Sequence, residues 1–434
     1  MDPVEAYGRV KSSILEHHKW FDSSLPMIAS ENVTSPAVRK AMTSDFGHRY
    51  AEGWVGERVY AGTKYIDEVE SIAMELVKRL FNVKFADVRP ISGVIANLAV
   101  YTAFTNPGDV AMALPITKGG HISMGPLRGS EGQFIGGTAG AVRGLDVKYL
   151  AFDDHNMNVD VDKSIKRIEE NKPKLVILGG SVILFPHPVK ELSDVCKSVG
   201  ALLHYDAAHV AGLIAGKQFQ QPMEEGADVM TMSTHKTFFG PQHGAVITND
   251  EEKFERIKLA NFPGLLSNHH LHSVAALALA AAEMLAFGEE YARAVVRNAK
   301  ALAQALHDEG FSVVAEHLGF TQSHQVLLDV DALGGGYRCE KLLEEANIIV
   351  NRNLLPWDIK RGRSFKDPGG LRLGVSELTR LGMGEEEMKE IAKLYRKVLL
   401  DREDPKKVAG EVSELRKRFR NVKYAFEEGP AYEY

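Results

Sequence analysis

The chain has 434 residues, 44% of them hydrophobic and 25% charged, with a net charge of −6; this composition excludes wholesale disorder and predicts two to four domains at roughly 100–200 residues each. So mild an acidity gives no basic surface for holding nucleic acid through counterion release. Only Cys196 and Cys339 are present, which excludes a disulfide framework and a cysteine-rich zinc site and leads us to expect a reducing, cytoplasmic setting.

In chain order, Val4, Tyr7, Val10, Ile14 and Leu15 make one helical stripe in a polar opening segment that lacks the apolar core of a signal peptide. Ser35-Pro36 opens a short helix, with Ser as cap and Pro at the first position. Ile66–Phe81 reads as an amphipathic helix with its acids early and its bases late. Between about Asp87 and Thr248, short apolar runs at 110–114, 174–179, 201–206, 228–233 and 244–248 alternate with helical stretches. That pattern predicts an α/β core built on a mostly parallel sheet. Two long helices follow, His270–Phe287 and Glu289–Glu309; the longest apolar run, Val274–Ala282, is well short of the roughly 20 residues that cross a bilayer. Short strands and helices then continue to Leu400, a smaller α+β unit, before a charged helix and a Tyr-rich tail.

Two motifs carry the chemistry. Tyr205–Gly212 (YDAAHVAG) and Ser233–Pro241 (STHKTFFGP) each begin at the end of an expected strand, where open α/β sheets hold their ligands. Asp206 and Lys236 would then aim a carboxylate and an amine into one pocket, the pair that pyridoxal phosphate requires. The amine forms the Schiff base and the carboxylate keeps the ring nitrogen protonated. Lys236 alone would read as a solvated loop lysine; its flanking Thr234, His235 and Thr237 and the upstream Asp206 reverse that reading. His209 reads also as a residue capping a turn. Ser92-Gly93 before a helix can cradle a phosphate, though the pattern alone is common, and no competing glycine-rich nucleotide motif is present. His121, after Gly119 and Gly120, could stack on a flat ring or simply belong to a turn. Arg372, on a short strand in PGGLRLG, offers a fork to a carboxylate, although an isolated arginine is by default a surface residue. In the Tyr- and Gly-rich loop Arg49–Glu70, Glu52 is a candidate acid–base group, and the loop is either a cover or functional. Asn268, His269, His270 and His272 form a cluster that reads as a loop-to-helix cap or cofactor contact rather than a metal site, since two adjacent histidines do not face one ion from a regular helix and no acidic partner is near in sequence.

The strings MIASEN (27–32), HRYAEG (48–53), YIDEVE (65–70), YDAAHVAG, STHKTFFGP and GGLRLG (369–374), in this order, resemble the serine hydroxymethyltransferase family over about residues 25–400. SGVIAN, KPKLVILGGS, FPHPV, LIAGKQFQ, FPGLLSNHHLH, NLLPWD and the extended tail are similar to its archaeal branch. The resemblance implies the α/β fold type I of pyridoxal-phosphate transferases. It divides the chain into an N-terminal helical arm (1–45), a large cofactor-binding domain with a mostly parallel, seven-stranded type of sheet (46–275), a small α+β domain (276–400) and a charged tail (401–434). It further implies Lys236 as the Schiff-base lysine, Asp206 at the pyridine nitrogen and His121 over the ring. His209 and Ser181 would lie near the phenolic oxygen, and Ser92, Gly93 and His235 at the phosphate. Ser30 and Arg372 would bind the amino-acid carboxylate, with Gly119, Gly120 and Ile122 on the substrate side. Tyr50, Glu52 and Tyr60 would reach the site from the partner subunit of a homodimer. The family reaction moves the serine hydroxymethyl carbon to a reduced pterin, tetrahydrofolate or tetrahydromethanopterin, and leaves glycine.

Departures from the bacterial pattern are Val94 in the phosphate turn, Val59 for a tyrosine, Gln242 for an arginine, Val375 for a threonine and LLSNHH for a glycine run. The nearest rival activity is a threonine or allo-threonine aldolase; a rival of another class is a non-enzymatic pyridoxal-phosphate-binding regulator.

Overall fold

The computed structural model describes residues 1–128 and 133–433. Two compact units divide the chain, Ala37–Arg293 and the pair of segments Met1–Pro36 with Ala294–Tyr434.

The first unit is built on seven strands: β1 (Phe85–Asp87), β2 (Val110–Ala113), β3 (Asp146–Tyr149), β4 (Leu175–Gly179), β5 (Leu202–Asp206), β6 (Val229–Ser233) and β7 (Gly244–Thr248). Their spatial order is β1-β7-β6-β5-β4-β2-β3. From β6 through β3 all neighbours are parallel, and β7 runs antiparallel to both β6 and β1. Strands β4 to β7 are buried at every position, as a sheet covered on both faces must be. Five strands follow the expected apolar runs. The two edge strands do not: β1 has three residues, and β3, with Asp146 and Lys148, is largely exposed.

The two expected helices on either side of Gly288 are one continuous helix, Leu271–Asp308. A glycine costs about 1 kcal/mol in a helix without ending it. The backbone at Gly288 is approached closely: a Cβ on the facing Gly216 would lie 2.4 Å from the Gly288 carbonyl oxygen, which requires glycine at 216. This helix is long and apolar enough to cross a membrane, unlike the short run read from sequence, but most of its apolar stretch is buried by the rest of the chain, as in the core helix of a folded domain.

In the second unit, β8 (Ser312–Val313), β9 (Gln325–Asp329), β10 (Asn351–Asn353) and β11 (Gly370–Gly374) form an antiparallel sheet in the order β8-β9-β11-β10. The compact units differ from the divisions expected at 45/46 and 275/276. The N-terminal segment joins the C-terminal unit because Leu25–Pro26 pairs in parallel with Ile348–Ile349 and the Trp20 indole donates to Asn347 Oδ1. The tail joins it too: Val422, Ala425 and Ala431 pack with Val33 and Leu381, and the Tyr432 hydroxyl donates to buried Glu377. The opening helix, Pro3–Asp22, forms where its stripe predicts, yet it buries no residue, and Val4, Tyr7 and Val10 are exposed.

Candidate active site

The C-terminal ends of β5 and β6 lie side by side, with Asp206 in register with Thr231. The chain leaving β6 therefore passes Asp206 within a few residues, and Lys236 and Asp206 line one cleft. Thr237 locks this arrangement. Its hydroxyl donates to the His209 carbonyl at 2.8 Å and accepts from the Gly212 N–H at 3.0 Å, tying the Lys236 loop to the Asp206 loop. Asp206, almost fully buried, accepts from the Ala208 N–H through Oδ1 and from the Asn97 amide through Oδ2. His209 is buried beside it and lines the same cleft.

On the facing wall, Ser92 caps the helix Gly93–Phe104, its Oγ accepting from the Ile95 N–H at 3.2 Å. This helix is apolar nearly throughout and sits over the sheet, so its N-terminus, with its free N–H groups, opens into the cleft. Gly93 packs closely on β6: a Cβ there would meet Ser233 Oγ at 2.3 Å and force that hydroxyl to move. His235 lines the cleft as well. Burial and the neighbouring Lys236 charge pull its pKa down to about 4, and its Nδ1 is buried with no partner among the described residues.

After β2, the Gly119 carbonyl accepts from both the Ser181 and Val182 N–H groups, seating the 119–121 turn on the chain that leaves β4. His121 enters the cleft, its Nδ1 2.8 Å from Ser123 Oγ, and Gly180 forms part of the lining. Ser181 is the next residue; Ile122 is exposed.

Tyr50, Glu52 and Tyr60 do not line this cleft. They form a separate group in the same unit, with the two tyrosine rings 5.5 Å apart, both largely exposed. The loop bearing them is clasped by Arg58. Its guanidinium donates to the carbonyls of Ala51 and Gly53, on either side of Glu52, and to Asp67 and Glu70. Glu70 also takes His269 Nε2 at 2.7 Å. Burial pushes the Glu70 carboxyl up, but His269 and Arg58 outweigh it and hold it below the usual carboxylate range. His269 thus has an acidic partner that its sequence neighbours do not reveal, and it is a buried ion-network residue instead of a helix cap. Asn268 pins the same loop from the other side, accepting from the Ala51 N–H and donating to the Arg49 carbonyl.

Ser30 and Arg372 belong to the other unit. Arg372 stands on β11 between Leu327 of β9 and Asn351 of β10, donating to Asn351 Oδ1 at 3.3 Å. Burial lowers its pKa to about 10, which leaves it cationic at neutral pH. The segment before Ser30 is pressed on the end of β11: the Gly374 N–H donates to Met27 O, and His324 Nε2 bonds the Ala29 carbonyl.

Sequence reasoning missed Asn97 and Arg58. Each had a signal, a lone amide in the apolar run GVIANLAVYTAF and a lone cation in a Tyr/Gly loop, since a polar group on such a buried face needs partners.

A helix N-terminus, an amine and a carboxylate converging at the crest of a doubly covered sheet define a pyridoxal-phosphate enzyme of fold type I. The donor set fits that cofactor: free helix N–H groups beginning at a closely packed glycine, an unpartnered buried imidazole nitrogen, and an acceptor carboxylate. Comparison with known proteins narrows the class. The family described as "Serine hydroxymethyltransferase" matches residues 8–395. The serine hydroxymethyltransferase of Nitrosopumilus maritimus (strain SCM1) is 55% identical over 99% of this chain and 98% of its own length. Those of Methanopyrus kandleri (53%; 98% and 96%) and Thermococcus gammatolerans (52%; 98% and 98%) are similar throughout as well. The chain belongs to the serine hydroxymethyltransferase family.

Proposed function

We propose that this protein transfers the hydroxymethyl carbon of serine reversibly to a reduced pterin, tetrahydrofolate or tetrahydromethanopterin, leaving glycine. The convergence of Lys236 and Asp206 in one cleft, tied together by Thr237, is the observation that carries this reading.

When bound, pyridoxal phosphate supplies an electron sink for the pair released as the serine Cα–Cβ bond breaks. Lys236 would anchor the cofactor through its amine, and Asp206 would hold a proton on the ring nitrogen. The Gly93 end of its helix, Ser92 and His235 would take the phosphate. The unpartnered His235 Nδ1 supports that assignment, because a nitrogen kept neutral down to about pH 4 can accept or donate without adding charge. His121 would lie against the ring, with His209 and Ser181 near its phenolic oxygen. Arg372 would grip the substrate carboxylate with its planar fork, assisted by Ser30, and Gly119, Gly120 and Ile122 would border the substrate.

Glu52 would hold and release the proton at the serine hydroxyl oxygen as the one-carbon unit leaves. We place it, with Tyr50 and Tyr60, in the active site of a partner subunit. The exposure of Tyr50 and Tyr60 and the absence of all three from the Lys236 cleft support a homodimer, as does the uncovered stripe of Val4, Tyr7 and Val10. Two free, buried cysteines are consistent with a cytoplasmic setting.

The test is serine cleavage with each pterin and with none. Wild type is expected to require a pterin, and Lys236→Ala to abolish turnover while still taking up cofactor non-covalently. Turnover of Lys236→Ala at the wild-type rate would overturn the assignment. Competition between the two pterins identifies the carrier.

A further inference from the structure

The cleft is backed by a continuous chain of buried polar groups. Asn97 is its hub, 2% exposed. Its Nδ2 lies 2.9 Å from Asp206 Oδ2 and 2.9 Å from Ser123 Oγ. Its Oδ1 lies 2.6 Å from Thr231 Oγ1. Beyond these, Thr231 Oγ1 is 2.7 Å from His204 Nε2, and Ser123 Oγ is 2.8 Å from His121 Nδ1. Thr231, His204 and Ser123 are fully buried.

Donor and acceptor roles along this chain follow from one end. A carboxylate only accepts, so Asn97 must present its NH2 to Asp206 and its carbonyl to Thr231. The Thr231 hydroxyl therefore donates to Asn97, and His204 donates to Thr231 from Nε2. Burial pulls the His204 pKa down to about 4, so that ring stays neutral and gives only one proton. On the other branch, the second Asn97 N–H goes to Ser123 Oγ, whose own proton goes to His121 Nδ1. The Ser123 backbone N–H reaches the same nitrogen at 3.2 Å. His121 Nδ1 is thus an acceptor.

We propose that Asn97 is a positioning residue that fixes the Asp206 carboxylate and, through Ser123, holds His121 in the tautomer whose Nδ1 accepts. The proposal rests on the reading above that Asp206 and His121 face the cofactor ring. Asn97 itself lines the cleft; its role is to couple Asp206 and His121 through its amide. Thr231 and His204 keep its amide from turning over, because a reversed amide would set its carbonyl against the Asp206 carboxylate.

The experiment compares wild type, Asn97→Ala, Ser123→Ala and the near-isosteric Thr231→Val, titrating each apoprotein with pyridoxal phosphate and recording the bound cofactor's absorption from pH 5.5 to 9. Asn97→Ala is expected to weaken cofactor binding by roughly tenfold to over a hundredfold, the worth of one hydrogen bond to a charged group. It should also move the midpoint of the absorption change by about one pH unit. Thr231→Val should move both in the same direction by less. Ser123→Ala should keep the affinity within about twofold, because the Asp206 branch survives. In holoenzyme carrying 15N-histidine, with the His121 signals identified by their loss in His121→Asn, wild type should show a protonated Nε2 and a bare Nδ1, and Ser123→Ala a mixture. An Asn97→Ala protein with wild-type affinity and midpoint overturns the proposal, as does a protonated His121 Nδ1 in wild type. Should Asn97→Ala fail to fold, an unmoved Thr231→Val overturns it equally. Failure of wild type to bind pyridoxal phosphate at all refutes the function instead.

Discussion

Arg372 shows how much a single side chain's setting matters. In sequence it is one arginine among glycines, with nothing to distinguish it from a surface residue. In the fold it is buried on a central strand, with Asn351 Oδ1 on its Nε. A buried cation carries a desolvation cost that an arriving carboxylate would offset. Arg372→Lys keeps the charge and loses the fork. Hydrogen bonds involving charged groups contribute about 1.5–3 kcal/mol, so serine affinity should fall by roughly tenfold to over a hundredfold. Serine titrations followed by the cofactor's spectrum measure this, and unchanged affinity would put the carboxylate elsewhere. That Lys236, Asp206 and Ser92 meet in one cleft was legible from their places after expected strands or before an expected helix. Asn97 and Arg58 were not, because their roles lie in which distant carbonyls and carboxylates they meet.

Among the elements, the loop 49–60 has only a short hairpin of its own, Gly53–Trp54 paired with Glu57–Arg58, and is held in shape by the Arg58 side chain. Four acceptors converge on that guanidinium, two of them the carbonyls that flank Glu52. Removing one member of a buried ion network leaves the others uncompensated, at about 3–5 kcal/mol. Arg58→Met should therefore lower stability by about that amount in urea unfolding, and Arg58→Lys by less; an unaltered midpoint for Arg58→Met contradicts the clasp. Element prediction succeeded where burial imposed an apolar run, as in β4 to β7. It failed at the polar edge strand Asp146–Tyr149, which is largely exposed, and at Gly288, a glycine that the long helix runs through without ending.

At the scale of the whole molecule, a set of histidines kept neutral by burial is a liability in acid. Burial brings His187, His204, His235 and His243 down to about 4, Lys236 adding to the effect at His235. Each takes up its proton near 6.5 when unfolded, so the unfolded chain binds more protons between these values. Their stabilising contribution is complete above pH 6.5 and is lost as pH falls toward 4, on the order of 3 kcal/mol each. Glu377 runs the other way: burial lifts it to about 7, so its protonated form favours the fold below 4.5 and that benefit is lost as pH rises through 7. Burial raises Glu31 in the same sense as Glu377, but the four histidines outweigh these two carboxyls and give a net loss in acid, measurable as a falling urea midpoint from pH 6.5 to 4.5; a midpoint that rises over that range contradicts the balance. The two-unit architecture was partly legible, as a parallel-sheet unit followed by a smaller mixed one. That the first 36 residues and the charged tail both belong to the smaller unit was not, since their docking depends on a two-residue strand pair and a tyrosine near the end of the chain.

The central claim is that Lys236 is the amine that captures pyridoxal phosphate beside Asp206. Borohydride reduction of the protein incubated with the cofactor, followed by peptide mapping, tests it most directly. The account predicts one stable pyridoxyl adduct on Lys236 in the Thr234–Thr237 segment, absent from Lys236→Ala. An adduct confined to another lysine, or none at all, would contradict it.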